Sequence, residues 1–240
     1  MILALCALTS ACKGREGKSV NHTSVNGKIG FTDSSLQNKL SNDEVENRGF
    51  QLPNFENQIS EVVRTIYQDS QGNIWFGTQN GVFQYEGDSL RQLDGVQSES
   101  GRKVTIKDIA EGKDSSIWLA HTDGISHIRG DAISNYYERD GLISNDVWCM
   151  AVDKHDLLWI GTIEGVSTFD GVDFKNFELP EGKLDTTVGV SSTKMVHSIM
   201  EDRKGRMWFS TNGGVFIYDG DALTSISEKE GLNTSFVNEV

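Results

Sequence analysis

Proline occurs only twice in the 240 residues, at Pro53 and Pro180, and cysteine three times, at Cys6, Cys12 and Cys149. So few cysteines exclude a disulfide-stapled scaffold, and no Cys/His cluster has zinc spacing. Basic residues are in deficit: 22 Lys and Arg stand against 35 Asp and Glu, a net charge of −13. That balance argues against a nucleic-acid partner, which needs a basic face. It leaves glycans, peptides and cations open. No apolar run is long enough to span a bilayer. Beyond roughly the first 20 residues no stretch sustains a helical period. A Gly-x-Ser-x-Gly elbow, a His-Glu-x-x-His pair and a phosphate loop are all missing. Carboxylates are plentiful but scattered. The sequence therefore points to a non-enzyme, with no cofactor and no metal.

What is present is a repeat. Ile74-Trp75-Phe76-Gly77-Thr78 returns as Ile117-Trp118-Leu119-Ala120-His121, as Leu158-Trp159-Ile160-Gly161-Thr162 and as Met207-Trp208-Phe209-Ser210-Thr211, at intervals of 43, 41 and 49 residues. A period of this size belongs to solenoids, propellers and arrays. Twelve residues before each tryptophan stands Val63, Ile106, Val147 or Val196, and nine before, Ile66, Ile109, Met150 or Ile199. Glycine recurs six residues after (Gly81, Gly124, Gly165, Gly214) and twelve after (Gly87, Gly130, Gly171, Gly220).

These positions read as four short strands per repeat, bounded by Gly, Asp, Asn and Ser. In the third copy they fall near Val147–Val152, Leu157–Thr162, Gly165–Phe169 and Asp173–Phe177. Strand two is apolar at consecutive residues, such as Ile74, Trp75 and Phe76, so both of its faces are buried, since side chains alternate. A sheet packed between two similar sheets achieves this, as in a β-propeller. The fold expected is all-β, with four-stranded antiparallel blades at about 60–93, 103–137, 146–178 and 195–227 and the start of a fifth at 236–240. Asp69-Ser70-Gln71-Gly72 and Asp202-Arg203-Lys204-Gly205 fit type I turns, with the Asp carboxylate capping backbone N–H groups. The second copy departs, with Gly112 and Ser115, and the third has Asp156 in place of glycine.

The run Asp69 to Gly87 resembles the two-component regulator propeller repeat, Asp-x-x-Gly-x-Ile-Trp-Phe-Gly-Thr-x-x-Gly-Val-x-x-Tyr-x-Gly, and the likeness extends over about residues 60–240. The resemblance implies a seven-bladed ring, of which this chain would be a fragment, or else an assembly of several chains. It also implies the extracytoplasmic sensing part of a two-component system that detects glycans.

The amino terminus is apolar from Met1 to Ala11, and Leu8-Thr9-Ser10-Ala11-Cys12 resembles a bacterial lipobox, with Cys12 lipidated. An ordinary cleaved secretory signal is the other reading. Residues 13–58 are rich in Ser, Asn, Lys, Gly, Gln and Glu and read as a flexible tether. The domain plan is thus a signal at 1–12, a tether at 13–58 and a propeller at 59–240. The protein would sit outside the cytoplasm, held on a membrane through its lipid anchor only.

A site can be placed by topology. In an up-and-down meander the turns joining strands one to two and three to four share one face, called here the turn face. The connections two to three and four to one share the other, the loop face. The turns are short and uniform, whereas 94–103 and 178–195 vary in length. Variable loops on a rigid scaffold concentrate binding. The candidate ligand residues are therefore Asn80, His121, Asp123, Glu164 and Asn212. Trp148 joins them, facing either the pore, where it could stack on a sugar, or a neighbouring blade. The ligand expected is a small molecule or oligosaccharide. An envelope-protein scaffold and a propeller lyase or hydrolase are the alternatives.

Overall fold

The computed structural model describes residues 59–239, apart from 88, 186 and 188. Cys12, the signal and the tether lie outside the described residues. Blade A comprises β1 (Val63–Gln68), β2 (Ile74–Thr78), β3 (Gly81–Glu86) and β4 (Ser89–Gln92). Blade B comprises β5 (Ile106–Glu111), β6 (Ile117–His121), β7 (Gly124–Arg129) and β8 (Ala132–Tyr136). Blade C comprises β9 (Val147–Val152), β10 (Leu158–Thr162), β11 (Gly165–Phe169) and β12 (Phe174–Phe177), and blade D β13 (Val196–Glu201), β14 (Met207–Thr211), β15 (Gly214–Tyr218) and β16 (Leu223–Ile226). Each blade is an antiparallel meander in sequence order. Strands β1, β5, β9 and β13 touch one another in succession, so they are the innermost strands of a propeller. Residues 236–239 form no strand, although the Val237 N–H donates to the Thr211 carbonyl.

The core lies between blades. Strands β6 and β10 are buried at every position, as the consecutive apolar residues require. Ile160, Val147 and Ala120 share one cluster; Trp159, Val196 and Phe209 share another. The small residue after the Trp pair has a specific task. A Cβ on Gly77 would lie 2.8 Å from the Ile106 side chain, and one on Gly161 2.9 Å from Val196. In each case the neighbour is the first residue of the next innermost strand, which packs into the space a side chain would fill. Neighbouring blades are what bury this position and its partner three residues on. Ile109, Met150 and Ile199 are 5–7% exposed, whereas the equivalent Ile66 of blade A is 64% exposed.

Aspartates hold the turn face. In blades A, C and D the carboxylate's Oδ1 accepts two backbone N–H groups of the turn, and its Oδ2 accepts the indole Nε1–H of the repeat tryptophan six residues on: Asp69 to Trp75 at 2.9 Å, Asp153 to Trp159 at 3.0 Å, Asp202 to Trp208 at 3.0 Å. Blade B has Gly112 at this position. There Asp114 takes over the turn through Ser116, and Trp118 stacks on His127 with ring centroids 3.8 Å apart. Acidic side chains also tie one blade's turn to the next blade: Glu111 accepts from the Ser70 N–H, Asp156 from Lys113 N–H and Glu201 from Lys154 N–H.

Glycine closes two of the four turns, with φ +91° at Gly72 and +77° at Gly205. Ser115 and Asp156 hold the same position at φ 61° and 67°. A side chain in this left-handed region costs about 1 kcal/mol. Ser115→Gly is therefore expected to raise stability by about 1 kcal/mol, measurable as an increased urea midpoint.

Among the described residues no helix is long and apolar enough to cross a membrane. The long connections are packed rather than loose. Val96, Val104 and Leu142 are buried within them. The 178–195 connection is pinned to blade D, since a Cβ on Gly182 would collide with the Gly213 carbonyl.

Candidate functional site

The innermost strands carry a device that periodicity does not show. In β1 the pairs Val63–Thr78 and Thr65–Gly77 skip Arg64. In β5 the pairs Ile106–His121 and Asp108–Ala120 skip Lys107. Trp148 is skipped in β9 and His197 in β13 in the same way. A β-bulge therefore stands at the second residue of the innermost strand in all four blades. A bulge releases its residue from the ladder and re-aims its side chain. The four side chains follow one another from blade to blade. The Lys107 ammonium lies 3.8 Å from the Trp148 ring centroid, and the Trp148 and His197 rings are 6.4 Å apart, edge to face. His197 in turn meets Phe236 at 5.2 Å. Lys107, Trp148, His197 and Asn238 line a recess of about 240 Å³.

Burial and partners set the chemistry of this recess. Lys107 is paired with Asp146 and its side chain is 9% exposed. Burial lowers its pKa, and Arg64 adds to that effect, while the bond to Asp146 opposes it. Arg64 itself is exposed and forms no ion pair with any described residue. Burial raises the Asp108 carboxyl to about 6, against backbone bonds from Met150 and Ile109 of 2.8 Å each. Those bonds turn both oxygens toward backbone. Trp148 Nε1–H is buried and has no partner. Cys149, the described residues' free cysteine, is buried and its thiol pKa is raised by burial, consistent with a packing role.

The residues singled out from the sequence fall into two groups. Asn80 and Glu164 are exposed on the loop face, and Asp123 is half-buried beside them in the equivalent connection. Glu164 lies 4.0 Å from Lys194 and borders a recess of about 400 Å³ with Asn176, Leu179, Pro180 and Phe216. His121 and Asn212 are not available to a ligand on that face. His121 is fully buried. Its Nδ1 accepts the Asp123 N–H at 3.3 Å, as the Thr78, Thr162 and Thr211 hydroxyls accept the backbone N–H two residues on in the other blades. Its Nε2 reaches Ser126 Oγ at 3.1 Å. Asn212 is 4% exposed. Its Oδ1 accepts from His197 Nε2 at 2.6 Å, and its Nδ2 donates to the Ser192 carbonyl at 2.8 Å. Asn212 thus holds His197 in place. Trp148, left between pore and neighbouring blade by the sequence, occupies the bulge and lines the recess.

Arg64, Lys107 and His197 were not singled out. A signal existed: eleven residues before the repeat tryptophan the copies read Arg, Lys, Trp and His, beside an aliphatic residue one position earlier. A larger recess, about 540 Å³, lies elsewhere, between blades A and B against Asp69, Gln71 and Asp131 of the turn face. Its Asp69 is committed to the turn and to Trp75. Among the described residues no group of three or more His, Cys, Asp or Glu side chains could hold a metal ion.

The family model described as Two component regulator propeller matches residues 57–80, 141–164 and 189–213. No curated protein matches the chain. Among solved structures, the chain is similar to the extracellular domain of a protein assigned as a hybrid two component system of B. thetaiotaomicron, with a TM-score of 0.60 and 24% identity over 74% of this chain. It is also similar to a catalytically inactive virginiamycin B lyase from Staphylococcus aureus, solved with quinupristin, at a TM-score of 0.54 and 17% identity over 73% of this chain. The chain spans 24% of the first protein and 57% of the second. At these identities the two structures establish the propeller fold.

Proposed function

We propose that this chain is an extracytoplasmic, lipid-anchored sensing propeller that binds an oligosaccharide or other small ligand on its loop face and serves two-component signalling. The observation that carries the reading is the asymmetry of the two faces. The turn face is built from short turns, and in three of the four blades the turn aspartate is consumed by tryptophan and backbone donors. The loop face carries the uneven connections, the exposed Asn80 and Glu164, and the bulge residues at its centre. The match to the regulator-propeller model supports the signalling part. The lyase likeness is one of fold, and function resides in sites rather than folds.

A glycan array probed with the full chain tests the reading. Saccharide hits support a sensor, whereas capture of envelope proteins with no saccharide hit favours a scaffold. Asn80→Ala, Asp123→Ala and Glu164→Ala combined are expected to weaken a saccharide hit at least ~10-fold, since each lost polar contact is worth about 0.5–1.5 kcal/mol. Gln71→Ala with Asp131→Ala on the turn face should leave it unchanged. Retained affinity in the triple variant would overturn the placement.

A further inference from the structure

We propose that the groove between blades A and B on the turn face is a second binding site, and that it holds an extended, lysine-containing segment of a protein partner. This site lies apart from the loop face and goes beyond the sensing reading.

The groove encloses about 540 Å³, within the ~300–1,000 Å³ of ordinary ligand sites. Trp75, Ile117 and Ile128 give it an apolar floor. Its walls carry the carboxylates of Asp69, Glu86, Asp94 and Asp131 against a single cation, Arg91. Two of these acids are already engaged. Asp69 is spent on its turn and on Trp75, and Glu86 lies 3.9 Å from Arg91. Asp94, in the connection leaving blade A, and Asp131, in the β7–β8 turn of blade B, are exposed and pair with no described residue. Each wall thus keeps one carboxylate for a cation. The net charge of −13 adds a long-range attraction for a basic partner.

Exposed acids alone would be a solvated surface. The groove also holds a buried amide with an unused end. Gln84 of β3 is 6% exposed. Its Oε1 accepts from Arg91 Nη2 at 2.7 Å, so the NH₂ group is the end left over. That nitrogen has no partner among the described residues and is not one of their enclosed donors, so it opens on the groove. Donors at buried side chains are ordinarily satisfied, which calls for an acceptor from outside. Packing does not require glutamine here. The residue paired with the repeat tryptophan is Gln84, His127, Thr168 or Ile217. Blade D keeps the aspartate–tryptophan bond with isoleucine at this place. An amide buried short of partners costs stability that an apolar side chain would not.

A ligand for this groove brings an acceptor to Gln84 and cations to Asp94 and Asp131. A polypeptide segment supplies both, since its backbone carbonyls accept and its lysine ammonium groups donate. A neutral saccharide lacks the cation, and a polyamine lacks the carbonyl.

Isothermal titration calorimetry on the full chain tests this with three probes: the peptide acetyl-Gly-Lys-Gly-Lys-Gly-amide, the same peptide acetylated on both lysine side chains, and spermidine. The unmodified peptide is expected to bind saturably, and the other two at least ~10-fold more weakly. Its binding should fall as salt rises from about 50 to about 500 mM, as screening requires. Asp94→Asn with Asp131→Asn, both exposed, should cost about 10-fold. Gln84→Met, which keeps the side-chain length and removes the amide, should weaken the peptide about 5-fold or more without lowering the melting temperature. The combined Asn80, Asp123 and Glu164 alanine variant should bind the peptide unchanged, so this site and the loop-face reading fail separately. Equal affinity for the acetylated peptide, or full affinity in the Asp94 and Asp131 double variant, overturns the charge pairing and the proposal with it. Spermidine bound as tightly as the peptide would make this a general cation site and overturn the polypeptide assignment. Absence of any peptide binding overturns the proposal.

Discussion

Asp153→Ala is expected to destabilise the propeller by about 3 kcal/mol or more, because it strands one buried indole N–H and two turn N–H groups at about 1 kcal/mol or more each. Oδ1 of Asp153 accepts from His155 and Leu157, and Oδ2 accepts from Trp159, which is 4% exposed. Trp159 is the hinge of the C–D interface. Its ring meets Phe177 at 5.0 Å, Phe209 at 5.6 Å and Tyr218 at 6.1 Å. The loss therefore spreads beyond one turn to the packing of two blades. Asp153→Asn should be nearly as damaging despite its identical shape. Once the amide oxygen takes the turn N–H groups, the amide NH₂ faces the indole N–H, donor against donor. Equilibrium urea unfolding of the full chain measures both changes. A loss under about 1 kcal/mol for alanine would show that the indole bond is dispensable. Asp202 offers an independent check. Backbone donation from Arg206, with help from Trp208 and Lys204, holds its carboxyl well below the usual range, so its contribution is present above the unfolded value near 4 and is lost on acidification.

The same latch shows where a sequence stops being legible. Aspartate as a turn cap follows from Asp-x-x-Gly, and the structure bears it out. The second oxygen's bond to tryptophan joins the turn to the strand, so neither the turn pattern nor the strand pattern alone displays it. Aspartate stands six residues before tryptophan in three copies, and in the fourth the aspartate moves to position 114 and a His127 stack appears. The strands were the most legible part. The paired apolar residues of strand two demanded burial on both faces, and the third copy's strands lie within a residue of their expected ends. The bulge was not legible, because a one-residue insertion into a ladder leaves the apolar positions twelve and nine before tryptophan undisturbed. Its consequence was nonetheless printed in the sequence as a column, eleven before the tryptophan, where Arg64, Lys107, Trp148 and His197 replace one another beside an aliphatic residue. His121 misled for a related reason. A histidine in place of threonine looks like acquired function when only the loop beside it is considered. Its ring nitrogen performs the threonine's own bond.

That burial makes His121 the source of a second large effect. Burial, with a further push from Lys107, lowers its pKa to about 3, so the ring is neutral when folded. An unfolded histidine titrates near 6.5. The folded state binds the proton less well, so the contribution is intact above pH 6.5 and is lost as pH falls toward 3. Between pH 6.5 and 4.5 this single ring should remove about 2–3 kcal/mol. His121→Thr installs the residue of the other three blades. At neutral pH it should cost about 1–2 kcal/mol, because the smaller side chain leaves a gap and Ser126 loses a partner. Its stability should then decline far less on acidification. The two proteins differ in a single titratable side chain, so the difference between the two pH profiles reports on the imidazole. Urea midpoints measured from pH 7.5 to 4.5 should converge or cross. Parallel profiles would mean that the ring finds water or a proton acceptor when charged, and that blade B opens there more readily than its packing indicates.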